Sequence, residues 1–347
     1  ALARQIGETL PFDPAGVKYW LSPSERAAQL FGKIPGYCAA DGCICRVAAD
    51  GGRKPICDFV AIPHSEIMQD DGVNRNMAFE VDAWTQDGRR LPRTRVKASD
   101  FGGMSWVTSA WGLQANVMPG NSAKDHARYA IAAVGKMTAA HITEYSHTGW
   151  RKIAGKWCYL YHGGAVGADG VRVNLDGGLS GYRLDGAGAA GFDSISAEAA
   201  AAASWGIRNV IAPHVAIPLL GTIYLAPLWE FLNQTNVKPS YGLYLAGGTG
   251  SRKSTSAALA LSHFGNFTSK TLPASFHDTG NTIRRRAFIL KDMPFVVDDF
   301  HPTGSQQEKR QLKEIAQSLS RMAGDGAERG RMRPDGTLQP ATPPRCV

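Results

Sequence analysis

Between residues 36 and 185 short apolar runs alternate with polar turn signals. CDFVAI, MAFEVDAW, SWVTSAW and KWCYLYH are separated by ADG, DDG, QDG, GADG and LDGG. Short runs rich in aromatic and β-branched residues, bounded by Gly and Asp, read as strands joined by tight turns. The pattern predicts a β-rich α+β domain over 36–185, interrupted by one helix near 123–141. Ahead of it, residues 1–35 carry one short helical signal, SPSERAAQLFG, with Ser22 or Ser24 as its cap. The alanine-rich stretch SISAEAAAAASWG then predicts a helical linker region over 186–237.

From 238 onward the texture becomes strand, loop and helix, which is the pattern of an α/β fold. YGLYLA at 241–246 is a short apolar run rich in strand formers, and 254–264 is an Ala- and Leu-rich stretch stopped by Gly265. Between them lies GGTGSRKST. The phosphate-binding loop has the form Gly, four residues, Gly-Lys-Ser/Thr. Here Gly247 opens it, Lys253 and Ser254 close it, and Arg252 stands where the second glycine is usual. Gly247, Gly248 and Gly250, with Thr249, Ser251 and Thr255, supply a backbone free to turn its N–H groups inward, beside the positive end of a helix. In such a loop Lys253 reaches the outer phosphates of ATP and Ser254 holds a magnesium ion.

A metal-dependent nucleotide site also needs a strand bearing carboxylates. MPFVVDDF at 293–300 ends four apolar residues with Asp298 and Asp299, which places the first acid beside magnesium and the second near the attacking water. Each stretch alone is commonplace: a glycine turn before a helix, or a buried strand ending in a solvated acidic turn. The two in this order read as an ATPase core spanning 238–347.

Composition narrows the setting. The 347 residues carry 38 basic and 30 acidic side chains, a net charge of +8, which permits contact with nucleic acid without demonstrating it. No uninterrupted run of about 18 apolar residues occurs and no charged-then-apolar leader opens the sequence, so neither a membrane span nor a secretory signal is expected. Six cysteines are too few for a disulfide scaffold of this length, which favours a reducing cytoplasm. Cys38, Cys43, Cys45 and Cys57 cluster, but no pair has the Cys-x-x-Cys spacing of a zinc knuckle, so free thiols are the favoured reading.

Other patterns compete for attention. Gly186, Gly188 and Gly191 match the dinucleotide fingerprint, yet the preceding GYRLD is no buried strand and the next helix starts late, which favours a linker. Trp106, Trp111, Trp150, Trp157, Tyr159 and Tyr161 could stack on bases, but without an adjacent basic groove they read as core. Residues 308–323 form an amphipathic helical pattern. After it, Pro334-Asp335-Gly336 signals a turn, and Arg329, Arg331 and Arg333 alternate so that a strand would present all three on one face. A hairpin of that kind is an ordinary solvated turn, or it grips a DNA backbone, or it supplies an arginine finger to a neighbouring subunit's nucleotide.

Several segments together resemble domain-of-unknown-function family 927, which includes the cassette-chromosome helicases of staphylococci. The matching segments are GY at 36, DDG at 70, HTGWR at 147, YLYHGG at 159, IPLLGTIYLAPL at 217, GGTGSRKST, FHDTGN at 276 and PFVVDDFHPTG at 294. The resemblance implies a ring-forming ATPase core of the AAA+ helicase-like type, incomplete at the C-terminus here, behind a family-specific β-rich domain. It implies a homo-oligomer, a hexameric ring in the full-length protein, acting on DNA in the replication of plasmids, phages or other mobile elements. Lys253 and Ser254 match the loop's catalytic pair and Asp298 the metal-binding acid. Asp299 stands where many related ATPases have Glu, one methylene longer. The resulting expectation is an ATP- and magnesium-dependent DNA helicase or translocase. A nucleotide-controlled DNA-binding or scaffold ATPase is the alternative, and a small-molecule kinase lacks a recognisable lid.

Overall fold

The computed structural model describes residues 22–175, 178–184, 196–235, 237, 241–302, 304–325, 331–332, 338–339 and 343–347. They divide into two compact units. The first holds the described residues up to Gln69 together with Arg75–Thr143; the second holds Asp70–Asn74 and the described residues from Glu144 onward. Along the chain the division falls at 69/70, 74/75 and 143/144.

The first unit begins with α1 (Pro23–Phe31), started by Ser22 in a reciprocal capping box with Glu25. Its inward face puts Ala27 and Phe31 into the core. Strands β1 (Tyr37–Ala40), β2 (Cys43–Val47) and β3 (Arg53–Cys57) form an antiparallel meander. The longer β4 (Phe59–Asp70), β5 (Arg75–Thr85) and β6 (Arg90–Lys97) lie side by side and are followed by α2 (Ala98–Phe101), α3 (Ser105–Trp111) and α4 (Ala123–Thr138). β7 (Ala140–Tyr145) lies beside β4, and its last two residues, Glu144 and Tyr145, belong to the second unit. The core gathers Phe31, Ile44, Phe59, Val81, Leu91, Trp106, Trp111 and Ile131.

One expected strand is a helix. SWVTSAW forms α3, because Trp106, Val107 and Trp111 fall on one helical face and bury together, and the Trp111 indole N–H is satisfied by the Pro92 carbonyl at 2.9 Å. A run of seven residues with apolar positions one, four and five apart is ambiguous by sequence, and the packing partner decided it.

In the second unit β8 (Gly149–Ile153), β9 (Lys156–Tyr161) and β10 (Gly164–Val166) form an antiparallel sheet. β11 (Arg172–Val173) runs parallel to the last two residues of β7. Helices α5 (Ala197–Gly206), α6 (Pro213–Leu225) and α7 (Trp229–Gln234) follow, then α8 (Lys253–Leu261). Pro213–Gln234 is long and apolar enough, by length and composition, to cross a membrane, with mean hydropathy 1.6. One face of α6, with Ala216, Leu219, Leu220 and Ile223, is buried, while Ile217 and Tyr224 are exposed.

β12 (Ala274–Ser275), α9 (Gly280–Ile289) and β13 (Val297–Asp298) make a parallel strand–helix–strand unit. α10 (Gln306–Asp325) follows, and β14 (Arg331–Met332) pairs antiparallel with β15 (Leu338–Gln339). The last residues continue the parallel theme: Asp292 N–H donates to the Arg345 carbonyl at 2.9 Å, Val347 to Met293 at 3.0 Å, and Phe295 to Val347 at 2.9 Å. The unit's core joins Leu160, Tyr182, Leu261, Phe288, Leu290 and Met293. Residues 241–246, expected as a strand, carry no ladder. Tyr241 and Tyr244 are exposed, and among the described residues β12 and β13 pair only with each other.

Candidate functional site

The glycine-rich loop enters α8 through Arg252, whose backbone is left-handed, φ 57° and ψ 29°. That region carries a steric cost of about 1–2 kcal/mol for an L-residue with a Cβ and none for glycine. The structure thus supplies a physical reason for the glycine usual at this position. Gly250 is also left-handed at φ 81°. A Cβ at Gly247 would stand 2.9 Å from Ser251 Oγ, whereas Gly248 faces open space.

Lys253 is the first residue of α8, and its ammonium curls back over the loop, donating to the carbonyls of Gly247 at 2.8 Å and Gly248 at 2.9 Å. Ser251 Oγ lies 3.3 Å from the same nitrogen. These contacts are exposed, so the ammonium satisfies itself on loop carbonyls at little cost and can exchange them for an anion's oxygens. Ser254 and Thr255 lie in the first turn of the helix.

Asp298 ends β13, its carbonyl accepting from Phe276 N–H at 2.8 Å. Asp299 follows in a left-handed conformation, φ 67°, and its carboxylate meets His277 Nε2 at 3.3 Å. Tyr244, leading into the glycine loop, packs on Phe300 with ring centroids 6.3 Å apart, and Phe300 packs on Phe276 at 5.0 Å. This aromatic chain joins the segment before the loop to the segment after the acids.

Upstream of β13 the turn at 289–292 is held by a buried polar network, of which the segments DDG and HTGWR supply Asp71, His147, Thr148 and Trp150. Thr148 N–H donates to the Ile289 carbonyl at 3.0 Å and Thr148 Oγ1 to Lys291 at 2.9 Å. Trp150 N–H donates to Asp292 Oδ2 at 2.9 Å, and its indole to Pro227 at 2.7 Å. The Lys291 ammonium pairs with Asp292 and, at 2.9 Å, with Glu230 of α7. Burial pushes the Asp292 carboxyl up, against the pull of Lys291. The Arg345 guanidinium lies over the Phe288 ring, 3.8 Å from its centroid, and donates to the carbonyls of Phe288 at 2.8 Å and Asp71 at 2.7 Å. Burial lowers its pKa to about 10. Beside it His147 donates Nδ1–H to the Thr148 carbonyl at 2.8 Å, which leaves Nε2 the acceptor, buried with no partner among the described residues. Burial first, then the Arg345 charge, brings the His147 pKa down to about 3. Asp71 accepts from the backbone of Val73 and Asn74 and pairs with Arg285 at 3.5 Å. The partners of the DDG and HTGW residues lie roughly 140 to 270 residues away in sequence.

The remaining sites resolve more simply. The six cysteines are free, and among the described residues no group of three or more His, Cys, Asp or Glu side chains could hold a metal ion. Trp106 and Trp111 are buried in the first unit's core, while Trp150 packs edge-on against Trp157, Tyr159 and Phe231. The hairpin expected after α10 is present as β14 and β15, with Arg331 on β14; Arg329 and Arg333 lie outside the described residues, as do Gly186, Gly188 and Gly191. No protein-family model matches the chain, and no curated protein matches it.

Proposed function

We propose that the second unit binds ATP with magnesium and hydrolyses it, as the core of a P-loop ATPase of the helicase-like type. The observation that carries the reading is the loop at 247–254: a lysine at the first position of a helix, folded onto the carbonyls of two glycines, with the residue before it in the conformation glycine favours. The residues suit the group they would hold. Lys253 offers the ammonium for phosphate oxygens, the loop N–H groups and helix N-terminus add positive potential, and Ser254 and Asp298 offer hard oxygen ligands for magnesium. Magnesium, when bound, neutralises charge that develops on the transferring phosphoryl group. Asp299, displayed on the turn after β13, accepts a proton from the attacking water.

Within this reading the wider protein is a ring-forming helicase or translocase acting on DNA of a mobile element, in the cytoplasm. The family resemblance and the basic balance of the chain support it. The test is magnesium-dependent binding of a fluorescent ATP analogue, followed by ATP turnover with and without single-stranded DNA. Turnover stimulated by DNA supports a motor. Binding with DNA-independent turnover supports the nucleotide-controlled scaffold, and absence of binding overturns the ATPase reading.

A further inference from the structure

We infer that His277 is a positioning residue for Asp299, holding that carboxylate where it can take a proton from water; the inference rests on the ATPase reading above. The Asp299 side chain is one methylene shorter than a glutamate and 60% exposed. An unrestrained exposed carboxylate samples several rotamers, and each reduces the fraction of time it faces the reacting water.

His277 removes that freedom from the other side. Its Nε2 lies 3.3 Å from Asp299 Oδ2, within reach of a donated hydrogen bond. The imidazole itself stands on a closely hydrogen-bonded turn. His277 N–H donates to Ser275 Oγ at 3.1 Å, Asp278 N–H to the Ser275 carbonyl at 2.9 Å, and Ser275 N–H to Asp278 Oδ2 at 3.1 Å. Asp278 is in turn fixed by Arg286 at 2.5 Å on α9, whose first turn is capped by Thr279. The ladder brings the two segments together, Ser275 pairing with Asp298 and Phe276 donating to the Asp298 carbonyl; just beyond it the His277 ring reaches diagonally to Asp299, the residue after the metal-binding acid.

Stability does not explain the pair. An ion pair with both partners about 60% exposed contributes close to nothing to folding. A rigid turn that presents a donor to one exposed carboxylate instead restricts orientation, and orientation matters to a general base.

The test uses His277→Ala, His277→Gln, Asp299→Asn and the double variant His277→Ala with Asp299→Asn, in the full-length protein. The expected result is a kcat for His277→Ala reduced about tenfold to a hundredfold, with the dissociation constant for the magnesium-bound ATP analogue changed less than about threefold. Gln keeps an N–H donor and is expected to restore most of kcat. In the Asp299→Asn background, His277→Ala is expected to cost nothing further, because the positioned group is gone. A kcat within about twofold of wild type for His277→Ala, or an equal loss in both backgrounds, would overturn the inference while leaving nucleotide binding intact. Failure of the wild type to bind the analogue overturns the ATPase reading and this inference with it.

Discussion

Gly149 lies against the Lys291 carbonyl so closely that no side chain fits between them. At φ 84° it is left-handed, and a Cβ there would meet the Lys291 carbonyl oxygen and stand 2.6 Å from Asp292 Oδ2. Close approach lets Thr148 and Trp150 on either side hold the turn that feeds β13. Gly149→Ala is therefore expected to destabilise the protein by at least about 2 kcal/mol, combining left-handed strain with displacement of a buried carboxylate. Chemical denaturation followed by tryptophan fluorescence measures it; a midpoint equal to wild type would show that the clamp yields without cost.

The buried His147 makes stability depend on pH. Its folded pKa, about 3, lies below the ordinary histidine value of 6.5. Between those two values the unfolded chain binds a proton that the folded chain does not, so stability is full above the upper value and falls as pH drops toward the lower, by up to about 1.4 kcal/mol per pH unit. His147→Asn is expected to flatten this part of the profile. Denaturation midpoints of both proteins between pH 4 and 7, chosen as about the span of the shift, give the difference slope, and parallel profiles would show that His147 titrates normally.

Arg252 occupies a glycine-favoured conformation, so Arg252→Gly relieves strain in the folded loop while loosening the unfolded chain. The two effects oppose, and stability is expected to change by less than about 1 kcal/mol. Arg252→Val, β-branched in the same conformation, is expected to be clearly less stable. Thermal melts compare them. Titration with a nonhydrolysable ATP analogue then separates backbone from contact: unchanged affinity in Arg252→Gly is the expected result, and weakened affinity would mean that the guanidinium itself touches phosphate.

On the proposed ATPase reading the loop lysine and the two acids have separable roles. Lys253→Ala removes contacts only to its own exposed loop, so the fold is expected to survive with ATP turnover abolished. Asp298→Asn is expected to weaken magnesium-dependent binding more than Asp299→Asn, which should chiefly lower kcat. Analogue binding at varied magnesium, set beside turnover, distinguishes them; identical behaviour of the two acid variants would refute the division.

If, as proposed, the protein acts on DNA, contact by the β14–β15 hairpin has a quantitative signature. Replacing Arg329, Arg331 and Arg333 by Ala is expected to lower the magnitude of the log–log salt slope of DNA binding by roughly two to three, at about 0.7–0.9 per phosphate contact, with basal hydrolysis retained. Loss of hydrolysis with an unchanged slope would instead identify an arginine finger.

Local pattern by itself determined a good deal. The capped first helix, the α4 and α10 helices, the strands of MAFEVDAW and KWCYLYH, and the glycine loop running into a helix all follow from nearest-neighbour propensity, hydrophobic period and turn residues. Each needs only the chemistry of residues a few positions apart. Tertiary structure decided the rest. SWVTSAW became a helix because two tryptophans found a core, with Trp106 donating to the Phe101 carbonyl and Trp111 to that of Pro92. YGLYLA formed no ladder, because pairing depends on a neighbouring strand that local propensity cannot supply. The roles of DDG, HTGW, Lys291, Asp292 and Arg345 were invisible along the chain, since each acts through partners far away in sequence. His277 likewise gained its partner only when β12 and β13 came into register and set its imidazole beside Asp299, a juxtaposition made by parallel pairing across an intervening helix.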